Sequence, residues 1–191
     1  MKKLTLSIIA AVVSHVCFAA APVDLGASAN YTPYDRYLSP VKQVLSHLDG
    51  QPASMDKVRQ LMVEGRNFRY SFTTPYVAAL PDVTASTHAG DCKAKALWLA
   101  SQLNDPNVRF VIGRARDNST MSHAWLMWKS EGKWWILDCT LSYKPIEADT
   151  INPERQYIPL YSYSKSGSYR HHATNVAAVA SSNGTLVASS K

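Results

Sequence analysis

Cysteine is scarce in this chain, with three in 191 residues, and glycine (8) and proline (10) are sparse too. That excludes a disulfide-stapled miniprotein, a collagen-like repeat and a Gly/Pro-rich disordered chain. Charge is thin: Asp, Glu, Lys and Arg make up 18% against 46% apolar residues, a balance that can build one core. The sequence has no apolar, uncharged run long enough to mark a membrane span of the mature chain. The formal charge of +6 falls to +4 if Lys2 and Lys3 leave with a leader. So mild a basic balance gives no reason to expect a nucleic-acid or membrane-surface partner.

What is present starts with a leader. Met1-Lys2-Lys3, an apolar stretch from Leu4 to Phe18, and Ala19-Ala20-Ala21 have the layout of a secretory signal peptide, with cleavage expected after Ala19. Cys17 lies within it, and Ser14-His15-Val16 ahead of it is a poor lipoprotein signal. A secreted or periplasmic protein is therefore expected. The mature chain keeps Cys92 and Cys139. In an oxidising compartment two cysteines pair by default, so any other reading has to come from their settings.

The expected organisation is a signal peptide over 1–19, an extended arm over 20–37, one domain over 38–172 and a loose Ala/Ser/Asn-rich tail over 173–191. Pro40 to Asp49 predicts a short helix capped by Ser39, and Ser54 to Gly65 a second one that Gly65 ends. Residues 66–90, with Pro75 and Pro81, predict an irregular connection. Asp91 to Leu103 predicts a central helix with Ala96, Leu97, Ala100 and Leu103 toward the core. Strand-like runs follow at Val108 to Arg116, His123 to Trp128 and Trp134 to Cys139. A helix followed by an antiparallel meander predicts an α+β domain.

Cys92 falls on the first turn of that helix, where unpaired backbone N–H groups and the helix dipole favour a thiolate and can hold an oxyanion. His123 opens the strand Ala124-Trp125-Leu126-Met127-Trp128, and Lys129-Ser130-Glu131-Gly132 predicts a four-residue turn. Pairing Trp128 with Lys133 then sets His123 opposite Asp138, on one face of the sheet. A carboxylate on an apolar strand needs a partner, and an imidazole supplies one. Cys139 would face the other way, which argues against a Cys92–Cys139 disulfide and for a buried free thiol.

Gly90-Asp91-Cys92 opening a helix, His123-Ala124 opening a strand and Leu137-Asp138 closing the next resemble the transglutaminase-like (papain-like) fold. Ile151-Asn152-Pro153, Arg155 and Ile158-Pro159-Leu160-Tyr161-Ser162-Tyr163 resemble the bacterial transglutaminase-like cysteine proteinases, over roughly Leu38 to Arg170. That family includes periplasmic proteases that cut large surface adhesins and so control biofilm release. The resemblance implies Cys92 as nucleophile, His123 as general base and acid, and Asp138 as orienter. It implies a protein substrate, with an adhesin and an inner-membrane regulator as expected partners. Family members often carry two acidic residues after the cysteine that contribute to a calcium site. Lys93 and Ala94 stand there in this chain. Asp91 alone is a poor site for an ion that takes six to eight oxygens, so no cofactor is expected. Lys93 is read either as a cation beside the sulfur or as a solvated side chain.

Weaker signals remain. A His88/Cys92/His123 zinc site lacks tight ligand spacing. His171-His172 is expected to be exposed. Tyr157, Tyr161, Tyr163 and Tyr169 predict an outer strand or groove wall, and Arg109, Arg114 and Arg116 one solvated strand face. Asn118-Ser119-Thr120 and Asn183-Gly184-Thr185 match a glycosylation pattern. Two other functions fit the same residues: a non-catalytic binding module on this fold, and acyl transfer to an amine through the same three side chains.

Overall fold

The computed structural model describes residues 23–173. The expected signal peptide, and all but the first residue of the expected tail, lie outside the described residues. In chain order the elements are β1 (Ala27–Ala29), α1 (Ser39–Ser46), α2 (Met55–Asn67), β2 (Arg69–Tyr70), α3 (Pro81–Thr87), β3 (Ala89–Gly90), α4 (Cys92–Leu103), β4 (Val108–Arg116), β5 (His123–Ser130), β6 (Lys133–Leu137), β7 (Ile146–Glu147), β8 (Gln156–Ser164) and β9 (Gly167–Arg170), with short 3₁₀ turns at Asp35–Tyr37 and Ala148–Thr150. Seven strands form one antiparallel sheet in the order β1-β9-β8-β4-β5-β6-β7, and β2 and β3 pair in parallel beside it. The α+β class and the helix-on-antiparallel-sheet arrangement expected from the sequence are present.

The helices form for local reasons and then pack. Ser54 caps α2 by accepting from the Lys57 N–H. Asp91 caps α4, its Oδ1 accepting from Lys93 N and Ala94 N at 3.1 Å each. Nearly all of α4 is buried, because α1, α2 and α3 enclose it on one side and the sheet on the other. Leu97, Trp98, Phe110, Leu126, Trp128 and Leu137 belong to this helix-side core. The sheet's far face carries a smaller cluster of Val111, Trp125, Met127, Ile136 and Ala148. At roughly 25 cal/mol per Å² of buried apolar surface, the helix side dominates stability.

Several expectations need correction. Gly65 does not end α2, which runs two residues further. A Cβ there would lie 2.7 Å from the Trp98 ring and 2.9 Å from the Cys139 sulfur, so this glycine serves a close approach of α2 to α4. Residues 66–90 are not irregular throughout: Pro81 opens α3, and β2 and β3 frame it. The four-residue turn is a two-residue one. Glu131 (φ +51°) and Gly132 (φ +78°) connect β5 and β6, and Ser130 pairs with Lys133. Both residues accept positive φ, and that twist suits a tight hairpin. His123 therefore does not stand opposite Asp138: the β5–β6 pairing ends at Leu126↔Leu137, and His123 pairs only on its other side, with Gly113 of β4.

The tyrosines do not form an outer wall either. β8 lies inside the sheet, between β4 and β9. Tyr161 and Tyr163 point into the helix-side core, whereas Tyr157 packs on the far face. The register steps from Ile112↔Tyr161 to Gly113↔Pro159. One extra residue, Leu160, thus reverses the alternation. His171 is buried, not exposed, and its Nε2 shares a hydrogen bond with Ser162.

Candidate active site

Three elements converge on one open cleft of about 370 Å³, lined by Tyr70, Cys92, the 118–122 segment and His123. Cys92 occupies the first position of α4, directly after the Asp91 cap, and lines the cleft. Its thiol is almost covered, at 6% exposure. His123 stands at the end of β5, where the sheet pairing with β6 has already stopped.

The two-residue change in hairpin register preserves parity. Asp138 still projects from the His123 side of the sheet, and His123 Nε2 lies 2.8 Å from Asp138 Oδ2. An even displacement along a strand returns a side chain to the same face. Asp138 is buried at 1% exposure, and its other oxygen accepts from Thr140 N (2.9 Å) and Leu141 N (3.2 Å). Tyr157 Oη donates to Asp138 Oδ2 at 3.2 Å. Each carboxylate oxygen therefore has two partners, which is how a buried charge is tolerated.

Burial by itself would lower the His123 pKa. Hydrogen bonds to Asp138 and to Cys92, with the attraction of both charges, outweigh it and raise the value to about 10. Nε2 is taken by Asp138, so Nδ1 is the nitrogen left for the sulfur. An imidazole held between a carboxylate and a sulfur is placed to exchange a proton with that sulfur. The His123 ring also stacks on Trp125, with centroids 6.0 Å apart and planes 23° from parallel.

Tyr70 reaches the same spot. Burial and the nearby Cys92 and Asp91 raise its pKa, and it lines the cleft beside Cys92. Neither Tyr70 nor Tyr157 is legible as a site residue in the sequence: one sits in a two-residue strand, the other beyond a bulge.

Cys139 is apart from this chemistry. Its sulfur lies 3.7 Å from Lys95 O, on the side of the helices, and burial pushes its thiol up to about 12. Both cysteines are free and buried. Cys92 joins Cys139 on the helix side, so the facing argument against a disulfide does not hold, although the two thiols are unpaired.

Lys93 is not the solvated side chain of one expectation. It is 2% exposed, ion-paired to Asp91 Oδ2, with its ammonium 4.6 Å from the Tyr76 ring centroid. Thr73 donates to the same Asp91 oxygen from N and Oγ1. Those oxygens do not suit calcium: backbone and hydroxyl donors and an ammonium already occupy both. Among the described residues no group of three His, Cys, Asp or Glu side chains is placed to hold a metal ion, His88 included. Of the three arginines, Arg109 lies over the Tyr169 ring at 4.1 Å and donates to Leu25 O, so it is not simply solvated.

No family model matches the chain, and no curated protein does. Solved structures that resemble it include three worth naming. Calcium-bound LapG of Legionella pneumophila is 19% identical with a TM-score of 0.48, over 67% of this chain and 74% of its own. A second structure of that protein gives 17%, 0.48, 73% and 81%. A Cytophaga hutchinsonii protein named as a candidate cysteine protease gives 19%, 0.40, 60% and 43%.

Proposed function

We propose that this protein is a cysteine peptidase in which Cys92, His123 and Asp138 form the catalytic triad. The observation that carries the reading is the shared cleft of a helix-start cysteine and an imidazole that a buried carboxylate grips by its far nitrogen. In the proposed reaction the Cys92 sulfur, its proton passed to His123 Nδ1, attacks a peptide carbonyl carbon. The oxyanion forms at the Cys92 N–H, on the first turn of α4. His123 protonates the leaving amine, and water activated by the same ring hydrolyses the thioester.

An extended protein segment suits the cleft. Met121 is 65% exposed and Tyr70 52% at its rim, and Asn118, Ser119, Thr120 and Ser122 offer polar groups to a peptide backbone. A surface adhesin is the proposed substrate, an inner-membrane regulator the proposed partner, and the periplasm or exterior the proposed location. No helix among the described residues is long and apolar enough to cross a membrane. Activity is proposed to be independent of calcium, since the Lys93 ammonium already neutralises Asp91.

The test is cleavage of candidate surface proteins from the same source by wild type and Cys92→Ala. Wild type is expected to cut and the variant to lose the activity, with 5 mM EGTA leaving the wild-type rate unchanged. Cleavage by Cys92→Ala at the wild-type rate refutes the reading. Adding an excess of a primary amine separates hydrolysis from acyl transfer by the mass of the product.

A further inference from the structure

The side of the sheet behind the proposed triad holds a tyrosine in an unusual backbone state. Tyr157 has φ +48°, in a region that bulky L-residues seldom enter. The bulge at Leu160 reverses the alternation of β8, so Tyr157 turns away from Tyr161 and Tyr163 toward the far face. There its ring meets Trp125 edge-on at 5.5 Å, and Trp125 stacks under His123. Its hydroxyl reaches the Asp138 oxygen that also holds His123 Nε2.

We propose that Tyr157 is a positioning residue for the triad: its hydroxyl shares Asp138 Oδ2 with His123, and its ring closes on Trp125 behind the imidazole, so that one side chain fixes both the carboxylate and the ring it orients. The inference rests on the triad reading of the preceding section. Burial and then the Asp138 carboxylate raise the Tyr157 pKa, so the hydroxyl stays protonated and remains a donor. The other titratable or charged groups facing this cluster are Cys92 and Lys95 from α4, Cys139 after β6 and Arg116 from β4.

The sign follows from competition for one oxygen. Tyr157 Oη withdraws part of the Asp138 charge from His123. Removing that hydroxyl leaves the carboxylate to the imidazole alone and holds the imidazolium more firmly. Tyr157→Phe keeps the ring on Trp125 and removes only the donor.

The test is NMR titration of the His123 ring in the full chain, with the rate of Cys92 alkylation by iodoacetamide measured across pH. Tyr157→Phe is expected to raise the His123 midpoint by about half a unit to one unit. It is expected to lower kcat about 3- to 10-fold with KM held, because a firmer imidazolium is a poorer acid for the leaving amine. In an Asp138→Asn background the same change is expected to move nothing further. An unmoved midpoint in Tyr157→Phe overturns the proposal, and a lowered Tm beside it makes Tyr157 a packing residue only. Independently of any Tyr157 variant, a protected Tyr157 hydroxyl proton is expected in wild type and lost in Asp138→Asn; its persistence there also overturns the proposal. A wild type whose Cys92 resists alkylation and whose His123 midpoint is ordinary overturns the triad reading itself, a result distinct from a Tyr157→Phe without effect.

Discussion

At the scale of single residues, His123 is the pivot. Burial acts against its charge, and Asp138 is the largest influence in favour of it. Asp138→Asn is therefore expected to drop the His123 pKa by more than one unit and to move the alkaline limb of activity the same way. An amide at that place also allows the wrong tautomer, so kcat/KM is expected to fall about 10²-fold or more; a pH–rate profile of peptide cleavage reads both. The two thiols should separate just as sharply. Cys92 opens on the cleft, whereas Cys139 is 2% exposed with a thiol pushed up to about 12. Iodoacetamide on the native protein is expected to label Cys92 and leave Cys139 intact until guanidinium unfolds the chain, as peptide mass mapping will show.

Cys92, His123 and Asp138 were each legible from residue type and place: a cysteine at a helix start, and a histidine and an aspartate in apolar strands. The assumed register was off by two, yet the pairing survived, because an even displacement leaves the face unchanged. An error of one would have separated them. The solvated reading of Lys93 fails because nothing local says that the start of α4 is buried under the 72–76 segment, where Phe72 and Tyr76 meet its ammonium.

At the scale of elements, the N-terminus of α4 depends on that buried pair. Lys93→Met leaves Asp91 without its cation in a site that is 0% exposed. Breaking a buried pair from one side destabilises by about 3–5 kcal/mol, and the remaining donors from Lys93 N, Ala94 N and Thr73 place the expectation at the lower end. The pH dependence has a definite sign. Burial opposes the Asp91 charge, but its hydrogen bond with Lys93 and its other donors hold the carboxyl below its ordinary 3.8. Its stabilising effect is complete above about pH 4 and is lost as pH falls through the depressed value. Urea unfolding of wild type at pH 3 against pH 6, beside Lys93→Met, reads that loss, which the variant should show less of.

The bulge between β4 and β8 has its own dependence. A Cβ on Gly113 would sit 2.1 Å from Ile158 O and 2.7 Å from the Trp125 ring. Gly113→Ala is expected to destabilise by about 1–3 kcal/mol and to shift the Trp125 fluorescence. Neither this bulge nor the Glu131-Gly132 hairpin follows from hydrophobic alternation alone. A bulge adds a residue without breaking the pattern of residue types, so four tyrosines at even spacing read as one face when they occupy two.

At the scale of the whole molecule, the two faces of the sheet are unequally protected. Four helices and the segments between them cover the near face. Val23, Ile146, Ile151 and Tyr157 pack against the far cluster, beside a small apolar cavity that Trp125 and Met127 line. Strand order was the least legible feature of the sequence. β8 joins β4 across some forty residues of chain, and no local pattern specifies a partner that distant. The segment over 20–37 looked like a plain arm for the same reason. It in fact adds β1 to the edge of β9, supplies Leu25 O to Arg109 and brings Asp24 to the His172 N–H. Cleavage after Ala19 would leave all of these contacts in place. A chain begun at Asn30 would lose the edge strand and the cover over Trp125, and Trp125 supports His123. Its Tm is expected to fall by several degrees, at about 2–4 °C per kcal/mol for a domain of this size. Peptide cleavage should weaken in proportion to the loosening of Trp125, read as a red-shifted and more quenchable fluorescence. A truncated chain with full activity and an unshifted spectrum would mean that the far face needs no cover to hold the imidazole.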